Sequence, residues 1–264
     1  MNTIGIITAI VALLGGLAVG TTLSTTDAPD VEQITNQTRN RLMSENPPAQ
    51  DFVSMRPGIS DLPNEALSEA ETEGLLLMRE EEKLARDVYQ ILYEKWSLQI
   101  FANIAQSEQT HTEAVRDLLE KYNITDPVTD DTIGVFKSET MQKLYTDLVA
   151  QGEESETAAL TVGATIEDLD IKDLQDLIAE TDNQDIKLVY ENLMRGSRNH
   201  LRAFTRQLTM RGETYAPQYI SATDYATIIS SSQETGMGGA GMQNSGGMGQ
   251  HGGNRGWGGG GRNR

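Results

Sequence analysis

Between residues 65 and 210 the apolar positions recur three and four apart, with no sustained alternation of apolar and polar residues. That spacing predicts helices over about 65–95, 97–122, 155–180 and 183–210, and no amphipathic strand. The stretch between the second and third helices opens with Asn123-Ile124-Thr125-Asp126-Pro127 and carries a shorter helical pattern from Ser138 to Ala150, ended by Gly152. Gly212 closes the fourth helix, and the apolar segment around Tyr225–Ile229 is expected to pack back on it. The fold class expected is therefore all-α: an up-and-down four-helix bundle over 65–220 with a longer central connection, then a short helix or linker over 221–235.

Each helix has one seam of inward positions, and every seam is interrupted by polar residues near its middle. In the first helix it runs Leu75, Met78, Glu82, Ala85, Tyr89, Leu92 and Trp96. Glu81 lies on the adjoining stripe with Leu77, Leu84 and Val88, while Glu80, Lys83, Asp87, Gln90 and Glu94 are assigned to the opposite, solvated face. The second seam holds Phe101, Ile104, Glu108, His111, Val115, Leu118 and Tyr122. The third holds Leu160, Gly163, Glu167, Asp170, Leu174 and Leu177, and the fourth Ile186, Tyr190, Leu193, Ser197, His200 and Phe204.

Composition frames these helices. The chain has 264 residues, enough for one sizeable core, and no cysteine, so a metal would be held by oxygen and imidazole groups alone. The net charge is -18. The last residues, 236–264, contribute three arginines and no acid, which leaves the rest still more negative, and a nucleic-acid partner is discounted. Residues 236–264 are Gly-rich and are expected to form a disordered tail, and 21–64 read as a flexible spacer rich in Thr, Asn, Asp and Pro. An apolar run from Ile4 to Ala18, followed by the small-x-small pattern Ala18-Val19-Gly20, predicts a signal peptide over 1–20, with membrane anchoring through residues 4–18 as the alternative. Either outcome places the protein outside the cytoplasm, extracellular or in the cell envelope.

The polar seam positions carry the candidate chemistry. Glu108 and His111 share one helix face at i and i+3, the spacing of a dimetal carboxylate site inside a bundle. Both histidines of the helical region sit in seams. Counted from a turn near Ser97 at about 1.5 Å per residue, Glu82 and Glu108 stand within ~2 Å of the same level. Glu82, Glu108 and Glu167 converging in one core would repel or protonate unless a cation held them. The competing reading pairs the inward acids with Arg86, Arg198 or Arg202 in a metal-free network.

At these motifs the chain resembles the ferritin-like superfamily, most closely its rubrerythrin-like members and an uncharacterised exported family of the same clan, over about Glu65 to Tyr219. Glu82-Lys83-Leu84-Ala85-Arg86-Asp87-Val88-Tyr89 looks like the rubrerythrin first-helix motif, and Glu108-Gln109-Thr110-His111 is similar to the second-helix Glu-x-x-His. Gly196-Ser197-Arg198-Asn199-His200 resembles the fourth-helix motif of the uncharacterised family. The resemblance implies Glu82, Glu108, His111, Glu167 and His200 as metal ligands. Ser197 stands where the superfamily places a sixth, a glutamate, and Asp170, one turn from Glu167, is the substitute oxygen donor.

Two functions are expected from this. One is an exported protein binding iron, as one ion or a pair, with Mn or Zn as other occupants, and acting as an oxidoreductase on dioxygen, peroxide or Fe(II). The other is a metal-free exported bundle that serves as a surface or partner-binding module. In the first, Glu108 and Glu167 are the candidate bridges, and Tyr89 and Tyr190 stand near the seam for electron relay or for packing.

Overall fold

In the computed structural model of the chain, residues 59 and 61–235 are described. They form six helices, with no strand among the described residues: α1 Glu69–Trp96, α2 Gln99–Lys121, α3 Glu139–Gly152, α4 Glu156–Glu180, α5 Gln184–Met210 and α6 Ala222–Ser230. The expected signal peptide, nearly all of the spacer and the Gly-rich tail lie outside the described residues.

Local chemistry sets the helix ends. Ser68 caps α1 in a reciprocal box: its hydroxyl accepts from the Glu71 N–H at 3.1 Å, and the Glu71 carboxylate accepts from the Ser68 N–H at 2.8 Å. Glu71 also accepts from Thr181 Oγ1 at 2.6 Å and Asn183 Nδ2 at 2.9 Å, which ties the start of α1 to the turn between α4 and α5. Ser97, at φ 55°, ends α1 in a left-handed cap, and only Leu98 separates it from α2. Serines 138, 155 and 221 cap α3, α4 and α6. Gly212 follows α5 at φ 80°, as its sequence position predicts.

Helices α1 and α2 pack as one hairpin and α4 and α5 as another, with α1 also against α4 and α2 against α5. Two apolar clusters fill the interior. One gathers Tyr89, Phe101 and Phe204, whose ring centroids lie 5.4–6.1 Å apart, and the other gathers Leu75, Met78, Leu118 and Leu193. Along the seam of every long helix the polar residues fall between apolar seam residues of one cluster and those of the other. The central layer is thus polar by sequence and flanked by apolar packing on both sides.

One expectation is corrected. Lys83 and Asp87, assigned to a solvated face, are fully buried, because the connection between α2 and α3 folds over them. Lys83 Nζ reaches Asp87 Oδ2 at 2.5 Å and the Thr132 carbonyl at 3.0 Å, and lies 4.3 Å from the centre of the Phe136 ring. Asp87 also accepts from Gly134 N–H and Arg86, and Arg86 and Arg79 clasp Asp131 and Asp126 of the same connection. Helical periodicity reports which face meets the other helices and says nothing about a loop laid on the reverse side. Residues just before 65 also meet the bundle: Ile59 is buried in the cluster around Leu75, and Lys121 Nζ donates to the carbonyls of Ile59 and Leu62 at 3.0 Å.

Candidate metal centre

The polar layer brings two triads of potential ligand atoms together. Glu82, Glu108 and His111 form one, Glu108, Glu167 and His200 the other, each with its atoms within 4.8 Å of one another. All five residues are at least nine-tenths buried. Glu108 is common to both and splits its oxygens: Oε2 lies 2.6 Å from His111 Nδ1, and Oε1 lies 2.8 Å from His200 Nδ1. Glu82 Oε2 stands 3.3 Å from His111 Nδ1, and Glu167 Oε2 stands 3.4 Å from His200 Nδ1. The two imidazoles lie nearly parallel with centroids 5.7 Å apart. Glu167, expected as a second bridge, belongs to one triad only.

Several of these atoms converge without satisfying one another. Glu82 Oε1, Glu108 Oε1 and His200 Nδ1 are buried and make no hydrogen bond, although the last two are only 2.8 Å apart. An orphaned buried polar atom costs about 1–3 kcal/mol, more for a charged group. Ligand atoms of each triad lie close enough together that the group could hold a metal ion. The donor set, imidazole nitrogen with carboxylate oxygen, fits iron, manganese or zinc.

Surrounding contacts hold the ligand atoms in place. Ser107 Oγ sits 3.1 Å from His200 Nε2 and fixes the ring with Nδ1 turned inward. His111 is braced by backbone: a Cβ on Gly196 would fall 2.5 Å from His111 Cε1, so only glycine lets α5 approach the ring. Tyr89 donates to Glu167 Oε1 at 2.5 Å, while the Tyr190 hydroxyl has no partner. Asp170, half-buried, is in neither triad, and Ser197 donates to its carboxylate. Ser197 thus orients the acid expected to replace the missing glutamate.

Charge follows from this geometry. Burial works to raise the Glu108 carboxyl, but the imidazoles of His200 and His111 hold it well below the usual carboxylate range. Burial works to lower His200, yet Glu108 and Glu167 carry it up to about 10, and His111 is raised well above its ordinary value by Glu108 and Glu82. Burial raises Glu82 well above its ordinary value, and burial together with Glu167 pushes Asp170 up to about 8. The arginines invoked for a metal-free network are engaged elsewhere. Arg198 and Arg202 pair with Glu234, and Arg86 with Asp87 and Asp131.

A cavity of about 30 Å³ opens beside the triads between α1, α3 and α4. Glu82, Glu108, Glu167 and Asp170 line it together with Leu84, Leu144, Leu148 and Ile166. The sequence reading missed two further residues. Asp173 on α4 is buried against Glu81, and buried Asp168 accepts from the Tyr215 hydroxyl and the N–H groups of Gln218, Tyr219 and Ile220, fastening the chain after α5 to α4. Their signal was an acid next to, rather than on, an apolar seam.

The chain is 64% identical over 179 residues to the uncharacterized protein MJ0754 of Methanocaldococcus jannaschii, a match covering 68% of this chain and 97% of that one. It is also similar to the crystal structure of the hypothetical protein MJ0754 from Methanococcus jannaschii, with a TM-score of 0.65, 64% identity, and coverage of 66% of this chain and 99% of that one. The shared stretch makes up nearly all of that relative, and the rest of this chain lies outside it. A family model described as "Uncharacterized protein domain (DUF2202)" matches residues 71–232, a stretch that contains both triads, and the chain belongs to that family.

Proposed function

We propose that this protein is an exported, ferritin-like four-helix bundle that binds two metal ions, iron by preference, on either side of Glu108, and that the pair serves redox chemistry on dioxygen or hydrogen peroxide. The observation that carries the reading is the sharing of one buried carboxylate by two histidine-bearing triads that contain unpartnered ligand atoms. His111 with Glu82 would hold one ion and His200 with Glu167 the other, with Asp170 as an added oxygen donor to the second.

Iron bound there supplies the electrons for reducing a small oxidant. The chain does the rest. Glu108 stays anionic and, belonging to both triads, would help to hold each ion. Tyr89 and Ser107 orient Glu167 and His200, and Ser197 orients Asp170. The apolar lining residues Leu84, Leu144, Leu148 and Ile166 limit water beside the carboxylates, and the cavity leaves room for a molecule of a few atoms.

Metal analysis of the purified chain after reconstitution tests this. The reading expects about two equivalents of metal, falling below about one when Glu108→Ala is combined with His111→Ala. Less than about one equivalent in the unsubstituted chain, unchanged by those substitutions, would sink it. Export rests on the apolar run Ile4–Ala18 and the small residues after it, and intact-mass measurement of the native protein checks it. A retained Met1 in a soluble cytoplasmic fraction contradicts export, and a retained Met1 in the membrane fraction converts the signal into an anchor.

A further inference from the structure

Helix α3 supplies no residue to either triad, yet it forms part of the wall beside them. It packs on α1 and α4, and its buried Leu144 and Leu148, one turn apart, line the cavity with Leu84 of α1 and Ile166 of α4. Both ends of α3 are fastened to α1. Near its start Gln142 donates to the Gly134 carbonyl at 2.9 Å and accepts from the Phe136 N–H at 3.1 Å, and the Gly134 N–H in turn donates to buried Asp87. At its end the Gly152 carbonyl accepts from Trp96 Nε1 at 2.9 Å. The two leucines thus stand on a wall held at both ends.

We infer that Leu144 and Leu148 determine the specificity of the centre, restricting what reaches it to an uncharged molecule of about two or three heavy atoms. Size follows from space: the 30 Å³ cavity accommodates about two water-sized groups, and close-packed leucines give way little. Charge follows from the lining. Glu81, Glu82, Glu108, Glu167 and Asp170 all border the cavity and, among the described residues, no Lys, Arg or His does, so an anion would meet no counter-charge there. Dioxygen and hydrogen peroxide meet both conditions, and a hydroperoxide with a branched alkyl group fails the first. That the guest is an oxidant rests on the dimetal reading; the limit on its size does not.

Two measurements test this. Metal-free crystals are soaked in turn with xenon and with benzene: the unsubstituted chain is expected to hold xenon in this cavity and exclude benzene, whereas Leu148→Ala admits both. In the iron-loaded chain, Fe(II) oxidation is timed with hydrogen peroxide and with tert-butyl hydroperoxide. Each peroxide takes one electron from each of two Fe(II), its O–O bond breaks, and two protons from solvent complete the products, two waters in one case and water with tert-butanol in the other. Leu144→Ala and Leu148→Ala should each shift the ratio of rates toward the bulky peroxide by about tenfold or more, while Leu118→Ala, in the other apolar cluster, leaves it within about twofold. A partial loss of metal or of folded chain cancels from that ratio. Should the alanine variants fail to fold, Leu148→Val carries the test with a smaller shift in the same direction. Benzene in the unsubstituted cavity, no xenon there, or a ratio that the α3 substitutions move by less than about twofold overturns the inference. A chain that binds no metal brings down the dimetal reading alone, and the soaks then decide the size limit.

Discussion

Helix α1 buries charge on two faces, and it treats them in opposite ways. Toward the α2–α3 connection, Lys83, Arg86 and Asp87 meet Asp131, Thr132 and Gly134, and each charge has a partner of opposite sign or a backbone dipole. Toward the other long helices, Glu81 and Glu82 face Glu108, Glu167, Asp170 and Asp173 with only two imidazoles between them, and several oxygens have no donor. One face is closed and the other is open. A buried charge network that satisfies itself clamps a loop, whereas one that does not carries a cost that a bound cation would relieve.

The largest effect should come from breaking the closed face. Asp87→Ala strands buried Lys83 and removes one of the two acids that pair with Arg86, and urea denaturation is expected to show a loss of about 3–5 kcal/mol whether or not metal is present. A loss under about 1 kcal/mol would mean that this network is not structural.

Next comes the open face. Divalent metal at about 100 times its dissociation constant should add about 2.7 kcal/mol to the unsubstituted protein and nothing comparable to Glu108→Gln. In the metal-free state Glu82→Gln should leave stability unchanged or raise it, since it exchanges a buried ionisable carboxyl, one of whose oxygens has no partner, for a neutral amide of the same shape. Equal destabilisation by Glu82→Gln and Asp87→Ala without metal would erase the contrast between the faces.

A smaller effect tests positioning. Gly196→Ala forces a methyl group into the His111 ring and should cost about 1–3 kcal/mol by overpacking. Metal affinity should fall with it, while Gly212→Ala, with open space around its Cβ, leaves affinity alone.

The smallest effect is the pH dependence. Asp170 is raised from 3.8 to about 8 and Glu82 is raised too, so the folded apoprotein binds more protons than the unfolded chain. Their contribution is present below the unfolded carboxylate range and is lost as pH rises through the folded values. His200, raised to about 10, acts in the same direction from its ordinary 6.5 upward. Glu108, held low, works the opposite way only below about 4.5 and does not offset this. Metal displaces the same protons, so its stabilisation should be larger at pH 8 than at pH 6. Thermal melts with and without chelator at the two values check it, and a metal-induced shift that is the same at both contradicts it.

The open face was readable in the sequence because its residues obey the helix period. Glu82, Glu108, His111, Glu167 and His200 sit in seams, and seams meet in a core. The helix ends were readable as well, since the spans expected over 65–95 and 183–210 begin and end within four residues of α1 and α5, and Gly212 follows α5. The closed face was not readable. Lys83 and Asp87 lie opposite the seam, and their burial depends on residues 126–136, a segment with no period of its own. Gly196 and Asp173 were hidden by a different limit: their roles are contacts between helices far apart in the chain, fixed only when α5 meets α2 and α4 meets α1.

Crystals grown with iron or manganese, measured at the metal absorption edge, give the most direct test of the central claim. The account predicts two anomalous peaks flanking Glu108, one bonded to His111 Nδ1 and the other to His200 Nδ1. A map with no peak between Glu108 and either histidine, at metal concentrations that saturate binding in solution, would contradict it.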